Sequence, residues 1–405
     1  MGKEGPLQGI TVVELSTFVA APVTARLLSD MGAEVIKVER LEGDTWRATS
    51  KSFLPFRFSD EQNPVFDIYN SGKRHVALNI KTVEGMEALH RLIEKAQVFV
   101  TNTRPAALKR LGLDPDTLRQ RYPGLVYGLL LGYGEEGPDA DLPAFDTSAF
   151  WARSGFLRDL SLRQEGYAPV QAPYSMGDTI SGYLLTMEIC AALLRREKTG
   201  KGDIVKSSLF HNSIFTMGTM EIITQGKYCR QYPEDRASWG TPGGSYQCAD
   251  GEWILISGYS AAMHPILLKM IEREWLITDP RFQTPLDKWE NRHKYYEIVR
   301  DAILEKPSAY WLEEAHRLDL PIMKLGHFSD LSTDPQAWAN GYLEKVQFAS
   351  GNVDIMPTSP IEMKSVGELK TVPAEGVGAH TRRVLAELGY TDEQIEAMMA
   401  AGAAK

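Results

Sequence analysis

Gly177-Asp178 is the pair in this chain whose types and placement could do covalent chemistry. Behind it Ile180, Leu184, Met187, Ala191 and Leu194 recur at three- and four-residue spacing, which predicts a helix over 179–196 with Asp178 at its N-cap. A glycine before the aspartate lets a substrate approach the backbone, and the amide dipoles of the helix favour an anion at its start. A carboxylate held ionised there is a nucleophile suited to acyl transfer. Aspartate is equally a common N-cap with no chemistry, so the position by itself leaves capping as the ordinary alternative.

Cations that a phosphate-bearing ligand would need stand at Arg40, Lys73, Arg74, Arg104 and Arg110, near strand ends or adjoining loops. Each could equally be a solvated surface charge. Ligands of open α/β sheets bind at the carboxyl ends of strands, which favours Arg40 and the segment Asn102, Thr103 and Arg104. Gly132, Gly134 and Gly137 form a GxGxxG after an apolar strand, but Glu135, Glu136 and the polar stretch from Pro138 follow where a phosphate-receiving helix should begin. A tight turn is the expectation. The sequence has no P-loop, HExxH, paired CxxC or GxSxG motif, so an enzyme working without a metal, nicotinamide or ATP is expected. His211 and His264 sit in apolar stretches and read as core histidines. Phe18, Phe145, Phe150, Trp151 and Tyr174 either shape an aryl pocket or belong to the core.

The elements that must position these residues alternate. Strands are expected at 10–15, 33–38, 76–78, 98–101, 125–131 and 204–209, with helices over 22–31 and 84–95 between them, a pattern that predicts a parallel, doubly wound sheet. Beyond about residue 226 the composition shifts, and a strand at 253–257 and a helix at 261–275 suggest a smaller α+β domain. Two helices, 381–388 and 391–399, close the chain, the second capped by Thr391. With 405 residues, two domains are expected. A net charge of −9 argues against a nucleic-acid surface. Cys190, Cys229 and Cys248 show neither a disulfide framework nor metal-ligand spacing, which fits a reducing cytoplasm. No signal-like segment opens the chain, and no uncharged run reaches the roughly 20 residues of a membrane span.

Taken in order, several segments resemble the family III CoA-transferases, the CaiB/BaiF family, over essentially the whole chain. They are Pro6 through Leu15, Gly32 through Arg40, Lys73-Arg74, Asn102 through Leu113, Gly132-Tyr133-Gly134, Met176 through Tyr183, Thr199 through Asp203 and His380 through Tyr390. The resemblance implies a large Rossmann-like domain with a smaller α+β domain inserted, and an interlocked, ring-linked homodimer. The boundaries it suggests are 1–200 for the N-terminal part of the large domain, 201–225 for a linker, 226–325 for the small domain and 326–405 for the return to the large one.

It also implies that Asp178 attacks an acyl-CoA to give a mixed anhydride and CoA thiolate, which returns to form an aspartyl-CoA thioester that the acceptor acid opens. Coenzyme A is then a substrate, with no tightly bound cofactor. Arg40, Lys73, Arg74, Asn102, Thr103, Arg104, Arg110 and Leu111 would contact it, while Val19, Tyr133, Phe145, Gly243 and Gly244 would line the substrate site. Formyl-CoA-type members carry a longer glycine run than Gly243-Gly244. The segments Phe18 to Pro22, Leu142 to Gly155 and Asp334 to Asn340 resemble the branch of amino-acid-fermenting anaerobes that activates (R)-phenyllactate or (R)-2-hydroxyisocaproate. Three rival readings remain. An α-methylacyl-CoA racemase would need an acid–base pair, and its histidine would fall at Phe145, which carries no proton. A non-catalytic acyl-CoA-binding protein would keep Asp178 as a cap, and a NAD-dependent dehydrogenase would need the fingerprint rejected above.

Overall fold

The computed structural model describes the chain except for residues 1–4, 54–61, 164–165, 167, 229, 233, 238–241 and 258–261. Cys229 lies outside the described residues; Cys190 and Cys248 are free thiols. The chain divides into two compact units, one of Met1–Ser154, Ala172–Glu221 and Ser332–Lys405, the other of Gly155–Gln171 and Ile222–Leu331.

The first unit is built on six parallel strands: β1 (Thr11–Leu15), β2 (Glu34–Glu39), β3 (Arg74–Ala77), β4 (Val98–Thr101), β5 (Val126–Leu131) and β6 (Ile204–Ser208), in the order β3-β2-β1-β4-β5-β6. This is the doubly wound sheet that the alternating pattern predicts, with a reversal of strand order between β1 and β4. Both faces are covered, so β4 and β5 are buried along their whole length and read as apolar runs rather than as alternation. Helix Ala20–Asp30 follows β1 and packs on the long helix Met176–Thr199. That contact depends on Gly182, because a Cβ there would lie 2.7 Å from Val23 Cβ and 2.8 Å from the carbonyl of Ala20.

The edge at β3 is closed by the end of the chain. His75 N–H donates to His380 Nδ1 at 3.0 Å, Ala77 N–H to Thr381 Oγ1 at 3.0 Å, and Lys405 N–H to Ala77 O at 3.1 Å. Covering an edge in this way removes a template for pairing with other chains. Helices Thr381–Glu387 and Asp392–Ala400 contribute Val384, Leu385, Ile395 and Met398 to the same core as β2 to β5. Thr391 caps the second as expected, accepting from Gln394 N. A two-stranded hairpin, with strands at Leu343–Gln347 and Val353–Pro357, also belongs to this unit.

The second unit holds an antiparallel sheet of three strands, Gly244–Gln247, Trp253–Ile256 and Ile322–Lys324, with helices Met263–Met270, Arg292–Ile303 and Ser308–Arg317 around a separate core. The single helix expected over 261–275 is two pieces. It stops at Met270, Glu272 turns into the left-handed region at φ 55°, and a short 3-10 turn follows at Glu274–Ile277. Residue 261 lies outside the described set. Among the described residues no helix is long and apolar enough to cross a membrane.

Candidate active site

The carboxyl ends of β1, β4, β5 and β6 open onto one pocket of about 380 Å³, at the reversal of strand order. Thr17, Phe18, Asn102, Arg104, Leu131, Gly132 and Leu209 line it from the strand ends, and Leu142, Pro143, Ala144 and Phe145 from the loop after β5. Asp178 is the acid among its lining residues, and Arg104 the cation. The rest of the wall is largely apolar.

Asp178 is not the N-cap that the spacing predicts. The helix begins two residues earlier at Met176, Ser175 precedes it at φ 65°, and no side chain of Ser175 caps it. Asp178 sits in the first turn instead. The capping duty falls to Asp146, whose Oδ1 accepts from Asp178 N–H at 3.1 Å and whose anion is further favoured by the N–H groups of Gly177 and Ser175. Gly177 is what makes room for this: a Cβ there would lie 2.4 Å from Asp146 Oδ1 and 2.2 Å from Phe150 Cγ. Asp146 opens a seven-residue π-helix, Asp146–Ala152, which buries Ala149, Phe150 and Trp151.

Burial, and then the charge of Asp146, push the Asp178 carboxyl up to about 7. Burial also raises Asp146, to about 6, against the pull of the N–H groups around it. Near neutral pH Asp178 is therefore poised between its acid and its nucleophilic anion.

Phe18 is held at φ 64°, a strained conformation for an aromatic residue. Its N–H donates to Asp44 Oδ1 at 3.3 Å, while Thr17 and Asn102 bond each other twice, N–H to Oδ1 at 3.1 Å and Nδ2 to O at 2.7 Å. Thus fixed, the Phe18 ring meets Phe145 edge-on at 5.2 Å between centroids. Phe18 and Ser175, both beside this site, are two of the four non-glycine residues at positive φ among the described ones.

A fully buried ion cluster stands beneath the Phe18 loop. Glu14 and Lys37 face each other in register on β1 and β2 and bond at 2.8 Å; Lys37 also reaches Asp44 at 2.9 Å, and Lys73 reaches Glu14 at 2.8 Å. Lys73 further donates to the carbonyl of Pro22 and to Asn70 Oδ1. Lys73 is thus no ligand contact: desolvation lowers its ammonium to about 8, and its donors are already engaged inside the protein. Arg74 likewise is taken up, by Glu34 and Glu387.

Three of the remaining expected contacts, Arg40, Thr103 and Leu111, come together in a second pocket of about 170 Å³ lined also by Gly43, Asp44 and Ile80. Arg110 is exposed and lines neither pocket. Val19 turns away into a cluster with Val23, Leu27, Trp46 and Phe66, so its neighbour Phe18 is the lining residue. Tyr133 packs against Phe210 rather than into either pocket, and Gly243 and Gly244 belong to the second unit. Of the aromatic candidates, Phe150 and Trp151 are core, and Tyr174 is exposed beside Phe53. His264 is half-buried and bonded to the Tyr295 hydroxyl at 2.6 Å, whereas His211 is exposed instead of core. Asp146 is the residue that the sequence did not single out; an acid placed three residues before the apolar run Ala149-Phe150-Trp151 was its one signal.

Residues 7–381 match the model of CoA-transferase family III. The chain is 39% identical over 393 residues to the (R)-2-hydroxy-4-methylpentanoate CoA-transferase of Clostridioides difficile, covering 96% of this chain and 97% of that one. It is 34% identical to the cinnamoyl-CoA:phenyllactate CoA-transferase of Clostridium sporogenes, covering 96% and 94%. Among solved structures, a mutant form of Rv3272 of Mycobacterium tuberculosis superposes with a TM-score of 0.83 at 25% identity over 95% of this chain and 99% of that one. A CaiB/BaiF family protein from Brucella suis gives 0.77 at 25% identity, covering 95% and 100%.

Proposed function

The chain belongs to CoA-transferase family III, and from that premise we propose that Asp178 carries CoA between an acyl-CoA and a 2-hydroxy acid with a branched or aryl side chain. The observation that carries the reading is the position of Asp178, the acid in the lining of an otherwise largely apolar pocket at the strand reversal.

In the proposed sequence the Asp178 anion adds to the thioester carbonyl, a C–O bond forms, the C–S bond breaks and CoA leaves as thiolate. The thiolate then attacks the aspartyl carbonyl of the anhydride and releases the donor acid. The acceptor carboxylate displaces the thiolate again, and its return to the acceptor carbonyl frees Asp178. No proton is gained or lost overall. A thioester is exchanged for another thioester, so the cycle needs no outside source of energy. Apolar walls and the Phe18–Phe145 pair suit a hydrocarbon side chain and limit water, which would hydrolyse the anhydride. We assign the nucleotide end of CoA to the smaller pocket, a reading supported by Arg40, Thr103 and Leu111 lining it together.

We further propose that the second unit is an insertion and that two chains interlock as a homodimer. Its support is apolar surface on the first unit, where Met187, Leu194 and Phe215 are 62%, 60% and 80% exposed.

Intact-mass analysis after incubation with cinnamoyl-CoA or a branched acyl-CoA, without acceptor, tests the mechanism. An adduct of acyl or CoA mass, removed by hydroxylamine and absent from Asp178→Ala, is expected. Bound acyl-CoA with no adduct in wild type would overturn covalent catalysis.

A further inference from the structure

The long helix Met176–Thr199 starts without a capping side chain of its own, and its first residues lie against a second carboxylate from a distant segment. Asp146 is itself buried, accepts from the backbone of Asp178 at 3.1 Å, and is admitted only because residue 177 has no Cβ. A cap needs an oxygen acceptor and no more; serine, threonine or asparagine would serve equally well at an N-terminus. A buried anion beside the nucleophile is the more costly choice, since like charges in a site of low dielectric repel.

We propose that Asp146 is a positioning residue for the proposed nucleophile: it fixes the first turn of the helix that carries Asp178, and its charge keeps Asp178 a strong nucleophile. The inference rests on the reading of Asp178 as the group that attacks the thioester. Its physical content is that the backbone bond sets where the carboxylate points, while the neighbouring charge makes its anion less stable and so readier to share its electron pair.

The other ionisable groups around the pair do not supply that charge. Tyr69 bonds Ser175 and Thr179 and is neutral at working pH, its hydroxyl pushed up by burial, and Tyr183 on the same helix is raised likewise. On helix Ala20–Asp30, Arg26 and Asp30 neutralise each other at 2.8 Å. Lys206 on β6 pairs with Glu135, and His211 on helix Leu209–Thr216 faces Glu188, further along the long helix. Arg104 lines the pocket from the β4 end, and Asp146 is the charged group whose repulsion adds to burial at Asp178.

Asp146→Asn separates the two roles, because its amide oxygen can still accept from Asp178 N–H while the charge is gone. The readout is single-turnover release of CoA thiol from acyl-CoA as a function of pH. The wild-type rate rises with pH through a midpoint near 7, as Asp178 loses its proton. In Asp146→Asn the midpoint is expected to fall by about half a pH unit or more, with a plateau several-fold lower. An unmoved midpoint, whatever happens to the plateau, would reduce Asp146 to a cap and overturn the proposal.

Should Asp146→Asn not fold, Asp146→Ser gives a second measurement, since it also keeps an oxygen acceptor and loses the charge. The carboxyl carbon of 13C-labelled Asp178 should then titrate at lower pH than in wild type, and an unchanged titration sinks the idea. Absence of any thiol release in the wild type would instead remove the reading of Asp178 itself, which this carbon titration does not depend on.

Discussion

A carboxylate raised to about 7 is a stability cost as well as a reactive group. The folded chain binds the Asp178 proton more tightly than the unfolded chain does, so the fold loses stability as pH rises from the ordinary carboxylate range through 7. Asp178→Asn should therefore melt above wild type at pH 8, by roughly 2 °C, and the gap should close by pH 4, as scanning calorimetry would show. Activity runs the opposite way. The limb of kcat/KM on the acid side should have its midpoint near 7, well above the range of an unperturbed aspartate, and a midpoint near 4 in steady-state assays would contradict the partly buried, charge-coupled Asp178 described here. The sequence made Asp178 visible because a glycine and an apolar helical repeat frame it. It said nothing of Asp146, because the contact that matters spans 32 positions and depends on the missing Cβ of Gly177.

Elements place the site by their ends. The reversal between β1 and β4 parts the loops after them, Asn102 joins those loops, and Gly182 lets the long helix approach Ala20–Asp30 closely enough to bring Asp178 alongside. Beneath them the Glu14–Lys37–Asp44–Lys73 cluster holds the strained Phe18 through Asp44. Lys73→Met should thus lower the urea midpoint by an amount worth about 2–4 kcal/mol, because Glu14 loses one of its two buried cations. A phosphate contact would raise KM for the acyl-CoA and leave stability alone, so the two measurements together discriminate. Periodicity found most of these elements to within one to three residues, since helices and buried strands leave their period in the apolar positions. It joined Met263–Met270 to the turn after it because a single left-handed residue, Glu272, interrupts the helix without changing the apolar pattern.

At the scale of the whole molecule, the apolar residues left outside on the first unit bear on assembly. Sedimentation should give twice the mass of the chain, and Phe215→Asp should weaken or abolish that species; a monomer at micromolar concentration would contradict the proposed interlocking. Composition, the alternation of strand and helix, and the ordered run of family-like segments determined the doubly wound sheet and the family, and they singled out Asp178 as the candidate nucleophile. These are local or one-dimensional properties, and they are written in spacing. Which cations are free was not. Lys73 and Arg74 look like Arg40 in sequence, yet the fold encloses Lys73 among Glu14, Asn70 and the Pro22 carbonyl, binds Arg74 to Glu34 and Glu387, and leaves Arg40 beside a pocket. Charge is a property of a residue, whereas availability is set by which groups the chain brings within about 3 Å of it, and only tertiary structure decides that.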